Sequence, residues 1–221
     1  MARLVTPSQS ALATELEVQR AVWKSTTLSP LDPGHSEEEQ DVLCGILNAV
    51  SDAVEQLLSG VIEREYVEYG DGGSEWLLLR HRPIVSVLSV REGSRDLVEG
   101  TDYAVYYDLN RLRRLPGALG QPSRAQWLAG SATVMVRYRA GWATQVRDGS
   151  GNLIAVQYRP GGEGIRQAVL LWCQALWETG PAAYSVQIGA SGFVLNRNVG
   201  IPPQVQALLQ PYRHPATATA S

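Results

Sequence analysis

The chain has 221 residues, 44% hydrophobic and 19% charged, with a net charge of −3. That is enough for one substantial domain or two small ones around a buried core. No apolar run reaches the roughly 20 residues that span a bilayer, so a membrane protein is excluded from the expectation. Two cysteines, Cys44 and Cys173, and three scattered histidines, His35, His81 and His214, give little material for a disulfide framework or a zinc site.

The first residues, Met1-Ala2-Arg3-Leu4-Val5-Thr6-Pro7, lack the apolar centre of a signal peptide. The chain is therefore expected to be made and kept in the cytoplasm until it joins something larger, with both cysteines as buried thiols. Residues 8–24 suggest a first helix, capped by Ser8 or Ser10, with Leu12, Leu16, Val18 and Val22 as an imperfect apolar stripe. A loop with Pro30, Pro33 and Gly34 follows. Ser36-Glu37-Glu38-Glu39 then reads as a capping box. Beyond it Leu43, Ile46, Leu47, Val50, Val54, Leu57 and Leu58 recur at three-and-four spacing, and Gly60 stands where a helix cap belongs.

From Glu65 the period changes to two. Glu65–Tyr69 and Glu75–Arg80 flank Gly70-Asp71-Gly72-Gly73-Ser74 and predict a hairpin. Strands are expected at Ile84–Arg91, Tyr103–Tyr107, Arg111–Leu115 and Ala132–Arg139, with a long loop at Pro116–Gly130. Trp142–Val146 and Leu153–Tyr158 predict one more hairpin. Helical patterning returns at Ile165–Thr179, apolar nearly all round and stopped by Gly180-Pro181. Tyr184–Leu195 alternates weakly, Pro202-Pro203 opens a short helix over Gln204–Gln210, and His214–Ser221 is a tail of small residues. The fold class expected is α+β. A helical core of about four helices (residues 1–64 and 159–221) would carry an inserted antiparallel β module (residues 65–158).

Charge is unevenly spread. Residues 36–64 hold seven acids against one arginine, and of the nineteen basic residues only Lys24 is a lysine. Glu37, Glu38, Glu39 and Asp41 either complement the helix dipole or face a DNA passage whose repulsion keeps the duplex from sticking. Arg111, Arg113 and Arg114 form the one basic cluster. Arg111 and Arg113 share a strand face that would meet a phosphate backbone or an acidic partner, or lie ion-paired in solvent. An acidic protein is a poor candidate for sequence-specific DNA binding.

Signals for chemistry are weak. Pro160-Gly161-Gly162-Glu163-Gly164 precedes a helix but lacks the Lys-Ser/Thr of a P-loop. Asp71 and Glu75 lack the spacing of a calcium loop, and Gly189-Ala190-Ser191-Gly192 misses the nucleophile elbow by one residue. No enzyme activity and no cofactor are expected. The six tryptophans suggest core and interface anchors.

Leu43–Leu58, then Tyr69-Gly70-Asp71-Gly72, then Leu77-Leu78-Leu79-Arg80-His81-Arg82-Pro83-Ile84-Val85-Ser86-Val87 resemble the head-tail connector (adaptor, or head-completion) proteins of long-tailed bacteriophages. The likeness continues through Val90-Arg91-Glu92-Gly93, Gly100-Thr101-Asp102-Tyr103, Trp127, Val136-Arg137-Tyr138-Arg139-Ala140-Gly141-Trp142, Ile165–Trp177 and Ile201–Arg213. The resemblance implies a structural virion protein of the neck, a dodecameric ring beneath the portal that lines part of the DNA conduit. Its implied partners are its own copies, the portal protein, a stopper or tail-completion protein, and double-stranded DNA passing through non-specifically. No membrane partner and no catalytic residue are implied. The extra hairpin at Ala143–Arg159 departs from the family's pattern. A tail-terminator or stopper subunit, and a carbohydrate- or receptor-binding β module, are the alternatives. Val205, Leu208, Leu209, Tyr212 and Arg213 are the expected portal-docking residues, as the apolar face and anchors of a helix too short to be stable alone.

Overall fold

The computed structural model describes residues 6–23, 37–116, 125–179, 184–187, 192–195 and 200–213. Among them are four α-helices and eleven strands in antiparallel sheets, an α+β fold. The chain divides into two compact units, Met1–Ile62 with Ala143–Ser221, and Glu63–Trp142.

In the first unit, helix α1 (Glu15–Trp23) starts later than expected. Its cap is Thr14: the Glu17 amide donates to Thr14 Oγ1, and the Glu17 carboxylate accepts the Thr14 amide at 2.7 Å. Ser8 and Ser10 are occupied elsewhere. Ser8 N donates to Asn48 Oδ1 at 2.8 Å, Ser10 Oγ bonds Asp52, and Leu12 N donates to Ser51 Oγ at 3.0 Å. These contacts fix residues 8–12 along helix α2 (Glu37–Leu58), whose expected stripe is buried with Cys44 except for the half-buried Leu57. The Ser36 capping box lies outside the described residues. At the other end the left-handed residue is Ser59 (φ 58°), with Gly60 following it. Ser59 N bonds the Gln56 carbonyl and Gly60 N the Glu55 carbonyl, the two closing bonds of a Schellman cap.

The Glu55 side chain completes this end. Its buried carboxylate accepts the Val61 amide at 2.9 Å and the Ile62 amide at 2.8 Å. Replacing Glu55 by alanine leaves two shielded amides without their acceptor, so a loss of about 2–3 kcal/mol is expected. A urea titration checks it: a loss under about 1 kcal/mol would mean that water replaces the carboxylate without penalty.

Helix α3 (Glu163–Thr179) packs on α1 and α2. It buries Ile165, Ala168, Val169, Trp172, Cys173 and Leu176, while Arg166, Gln167 and Glu178 are exposed. It is thus a one-faced helix rather than the nearly all-round buried one expected. Trp177 meets Trp23 edge-on at 6.3 Å, and Arg166 pairs with Glu17. Both cysteines are buried free thiols, and burial pushes the Cys173 thiol up. Helix α4 (Pro203–Leu209) and a 3-10 turn (Gln210–Tyr212) close the chain against α3.

The second unit is a two-sheet β structure. One sheet has the order β1 (Arg64–Gly70), β7 (Val134–Ala140), β3 (Ile84–Glu92), β4 (Arg95–Leu97). The other has β2 (Trp76–Leu78), β6 (Arg111–Arg114), β5 (Tyr103–Tyr106). Leu77, Leu79, Ile84, Val90, Leu97, Tyr103, Leu112, Trp127, Val134, Val136, Tyr138 and Ala140 fill one core.

The hairpin expected between β1 and β2 does not form, because the two strands join different sheets. The glycines between them serve a close approach, not a turn. Gly72 N donates to the Gly130 carbonyl and Gly73 N to the Trp127 carbonyl, so this loop runs beside residues 127–130. A Cβ on Gly72 would lie 1.6 Å from the Leu128 carbonyl oxygen, which no side chain tolerates. A second correction concerns the module's limits. The hairpin β8 (Ala143–Arg147) and β9 (Leu153–Tyr158), placed with the β module by its period, belongs to the helical unit. Gln145 Nε2 donates to the Ala11 carbonyl at 2.7 Å and the Arg147 guanidinium to the Ser8 carbonyl at 2.6 Å. The weakly alternating segment forms a real ladder, β10 (Tyr184–Gln187) with β11 (Gly192–Leu195).

Candidate functional site

Strand alternation sorts the basic cluster onto two faces. In the three-stranded sheet Trp76 is registered with Arg113 and Leu78 with Arg111. Across the other ladder Ala104 meets Arg113 and Tyr106 meets Arg111. Side chains two apart share a face, so Trp76, Leu78, Ala104, Tyr106, Arg111 and Arg113 form the outer one. The Arg111 guanidinium lies over the Trp76 ring, 4.9 Å from its centre, and that of Arg113 lies 5.6 Å from it. Tyr106 meets Trp76 edge-on at 5.1 Å. Arg113 also pairs with Glu75. The Tyr106 hydroxyl first, and the Glu75 carboxylate with it, push the Arg113 guanidinium above its ordinary value.

Arg114 is a correction to the expected basic surface. It points to the inner face, is buried, and pairs with Glu92 at 3.2 Å and Asp102 at 3.7 Å. Its role is in the core, and a phosphate or a neighbouring subunit cannot reach it there. Sequence reasoning missed Trp76 and Tyr106 as companions of Arg111 and Arg113. The signal lay in the period of two on each strand, but which strands are neighbours is a tertiary fact.

The outer face of the four-stranded sheet carries a second group of arginines, all ion-paired. Arg139 meets Glu63 at 3.1 Å, Arg137 meets Glu65, and Arg91 meets Asp96 at 2.8 Å. Val67 and Tyr69 on its edge strand β1 are exposed among them. The exposed pairs Arg137–Glu65 and Arg91–Asp96 each contribute about 0–1 kcal/mol and set surface character more than stability, whereas the Glu63 side chain is 5% exposed.

On the acidic helix, Glu38 and Glu39 are exposed on the first turn of α2 and Asp41 is half-buried; Glu37 begins the helix. At the C-terminal end Val205 and Leu209 are buried in the protein's own core, which corrects their expected docking role. Leu208 is half-buried and Arg213 exposed. Tyr212 is seated on the start of α3: its hydroxyl donates to the Gly161 carbonyl at 2.6 Å, and a Cβ on Gly164 would lie 2.7 Å from that oxygen. The glycine-rich stretch before α3 is thus a seat for an aromatic side chain. The tail from His214 lies outside the described residues.

The remaining motifs resolve into local structure. Asp71 accepts from Ser131 Oγ at 2.9 Å and the Ala132 amide at 2.8 Å, and the amide foremost holds its carboxyl below the usual range. His81 stacks on Tyr66 at 3.7 Å, near Glu68. Among the described residues no three His, Cys, Asp or Glu side chains converge as metal ligands, and no helix is long and apolar enough to cross a membrane. Gly189, Ala190 and Ser191 of the elbow-like stretch lie outside the described residues.

No protein-family model matches the chain, and no curated protein matches it by sequence. Solved structures do. A chain in the neck of an empty gene transfer agent particle, solved with C6 symmetry, aligns over 95% of this chain and 93% of its own, with a TM-score of 0.51 and 17% identity. The two share a fold. A chain of the native gene transfer agent virion aligns over the same shares, with a TM-score of 0.50 and 17% identity.

Proposed function

We propose that this chain is a non-enzymatic structural subunit of the neck of a tailed-phage-like particle, the head-tail adaptor. It forms a ring, a dodecamer in the assembled particle, between the portal and the stopper or tail-completion protein, and lines part of the conduit through which double-stranded DNA passes. The observation that carries this reading is the shared fold with a gene transfer agent neck chain over 95% of the sequence. The order of motifs from Leu43 to Arg213 supports it independently, as does a surface rich in arginine and aromatic anchors.

The portal-docking role falls to the exposed Arg213 and the half-buried Leu208 and Tyr212 at the C-terminal end. Val205 and Leu209 hold α4 in place behind them. The acidic first turn of α2 would serve the conduit wall, where like charge keeps a duplex from sticking, only if no neighbouring subunit covers it.

The test is deletion of the gene from its own particle. Heads that package DNA, stay without tails and leak are expected, and supplying the chain in trans should restore tailed particles. Particles that tail normally without the chain would overturn the adaptor reading.

A further inference from the structure

The three-stranded sheet of the β unit has an outer face that no strand of the unit covers among the described residues. Trp76, Tyr106, Arg111 and Arg113 lie on it together, and they are the residue types that dominate the centres of protein interfaces. Leu78, in register with Arg111, is 61% exposed beside them. Arg113 has Glu75 as its partner. Among the described residues no carboxylate pairs with Arg111, and its Nε is shielded from water without an acceptor. A guanidinium stacked on an indole keeps its N–H edge for a carboxylate.

We infer that this face, centred on Arg111 and Trp76, docks the acidic first turn of α2, Glu38 and Glu39, from a second copy of this chain. Charge on the sequence argues for that occupant. Residues 36–64 carry seven acids against one arginine, the densest negative segment of the chain. The unit that contains α2 has twelve acids against eight basic residues, whereas the β unit has eleven arginines against ten acids. Glu38 and Glu39 are exposed, because the apolar stripe of α2 turns the opposite side inward. A closed ring is built from one head-to-tail contact, which requires two different, complementary patches on every subunit. The acidic turn and the cationic-aromatic face are such a pair. A nucleic-acid backbone is the poorer occupant, since Glu75 sits within the platform and only two arginines face outward.

The inference rests on the neck reading only for the expectation of self-assembly, and charge exchange separates the two. Self-association of the full chain would be followed by analytical ultracentrifugation at low salt, and ring incorporation by imaging of particles. Arg111→Glu with Arg113→Glu, and separately Glu38→Arg with Glu39→Arg, should each weaken association at least about tenfold. Circular dichroism melts should stay near wild type, since all four positions are partly or fully exposed. Mixing or combining the two sets should restore association, because the contact is remade with its signs exchanged. If the exchanged chain is as weak as either parent, or if neither reversal changes association, the proposed contact is wrong. Loss of DNA binding in the arginine variant with association unchanged would assign the face to nucleic acid and also overturn it. Normal rings in particles built from the arginine variant would sink this inference and leave the neck reading standing. Restored association in a protein absent from necks would do the reverse.

Discussion

Replacing Arg114 by alanine is expected to destabilise the β unit by about 3–5 kcal/mol, because it leaves the buried Glu92 carboxylate without its cation and takes from Asp102 the more buried of its two. The Arg114 side chain is 6% exposed, Asp102 3% and Glu92 10%. Each acid also anchors backbone: Asp102 Oδ2 accepts the Val98 amide at 2.9 Å, and Glu92 Oε1 accepts the Leu128 amide at 2.8 Å. Arg114 itself donates to the Asp102 carbonyl and lies 5.9 Å from the Trp127 ring centre. Arg95, at 3.0 Å from Asp102, is too exposed to replace it. Arg113→Ala, one residue away on the outer face, should cost under about 1 kcal/mol, as exposed pairs do. Urea unfolding of both variants makes the comparison. Equal losses would mean that burial of the Arg114 network has no energetic consequence.

The second large effect is expected at Trp172, the bulky centre of the buried face of α3. Truncation to alanine removes an indole from a site 4% exposed and should cost about 3–5 kcal/mol. Phenylalanine should cost far less. Among the described residues the buried Trp172 Nε1 has no acceptor, so the wild-type indole already bears the cost of an unmade hydrogen bond, about 1–3 kcal/mol. Removing that donor offsets part of the smaller ring's cavity, and Trp172→Phe should fall within about 1 kcal/mol of the native protein. Denaturant midpoints decide it. A phenylalanine variant as unstable as the alanine one would show that the N–H has a partner, or that the larger ring is essential to the fit.

The α+β class was legible in the sequence because period carries it: Leu43 to Leu58 cannot form one apolar face except on a helix, and residues 132–139 cannot except on a strand. What was not legible depends on partners distant in sequence. Ser8 and Ser10 have the chemistry of helix caps, yet Asn48 and Asp52 claim them. Gly70 to Gly73 have the composition of a turn, yet a neighbouring backbone fixes their use. The hairpin of residues 143–158 has the same period as the strands before it, and only its bonds to Ser8, Ala11 and Leu12 place it with the helical unit. The candidate site divides likewise. Alternation puts Arg111 and Arg113 on one face and Arg114 on the other, but that Trp76 meets the first two and Asp102 the third needed the sheet order. At the C-terminal end the spacing of Val205 and Leu209 gave an apolar face without saying whose core it would enter.

The point at which the chain leaves and re-enters the helical unit has a consequence for its connectivity. Ile62 and Ala143 form a parallel bridge, with the Ala143 amide donating to the Val61 carbonyl at 3.0 Å. The eighty intervening residues therefore leave and rejoin the helical unit at adjacent strand positions, about 5 Å apart as neighbouring strands are. Because the paired positions run parallel, a direct link between them would need a crossover of about a dozen residues rather than a tight turn. The β unit stands in the place of that obligatory crossover, one long excursion whose two ends are held side by side.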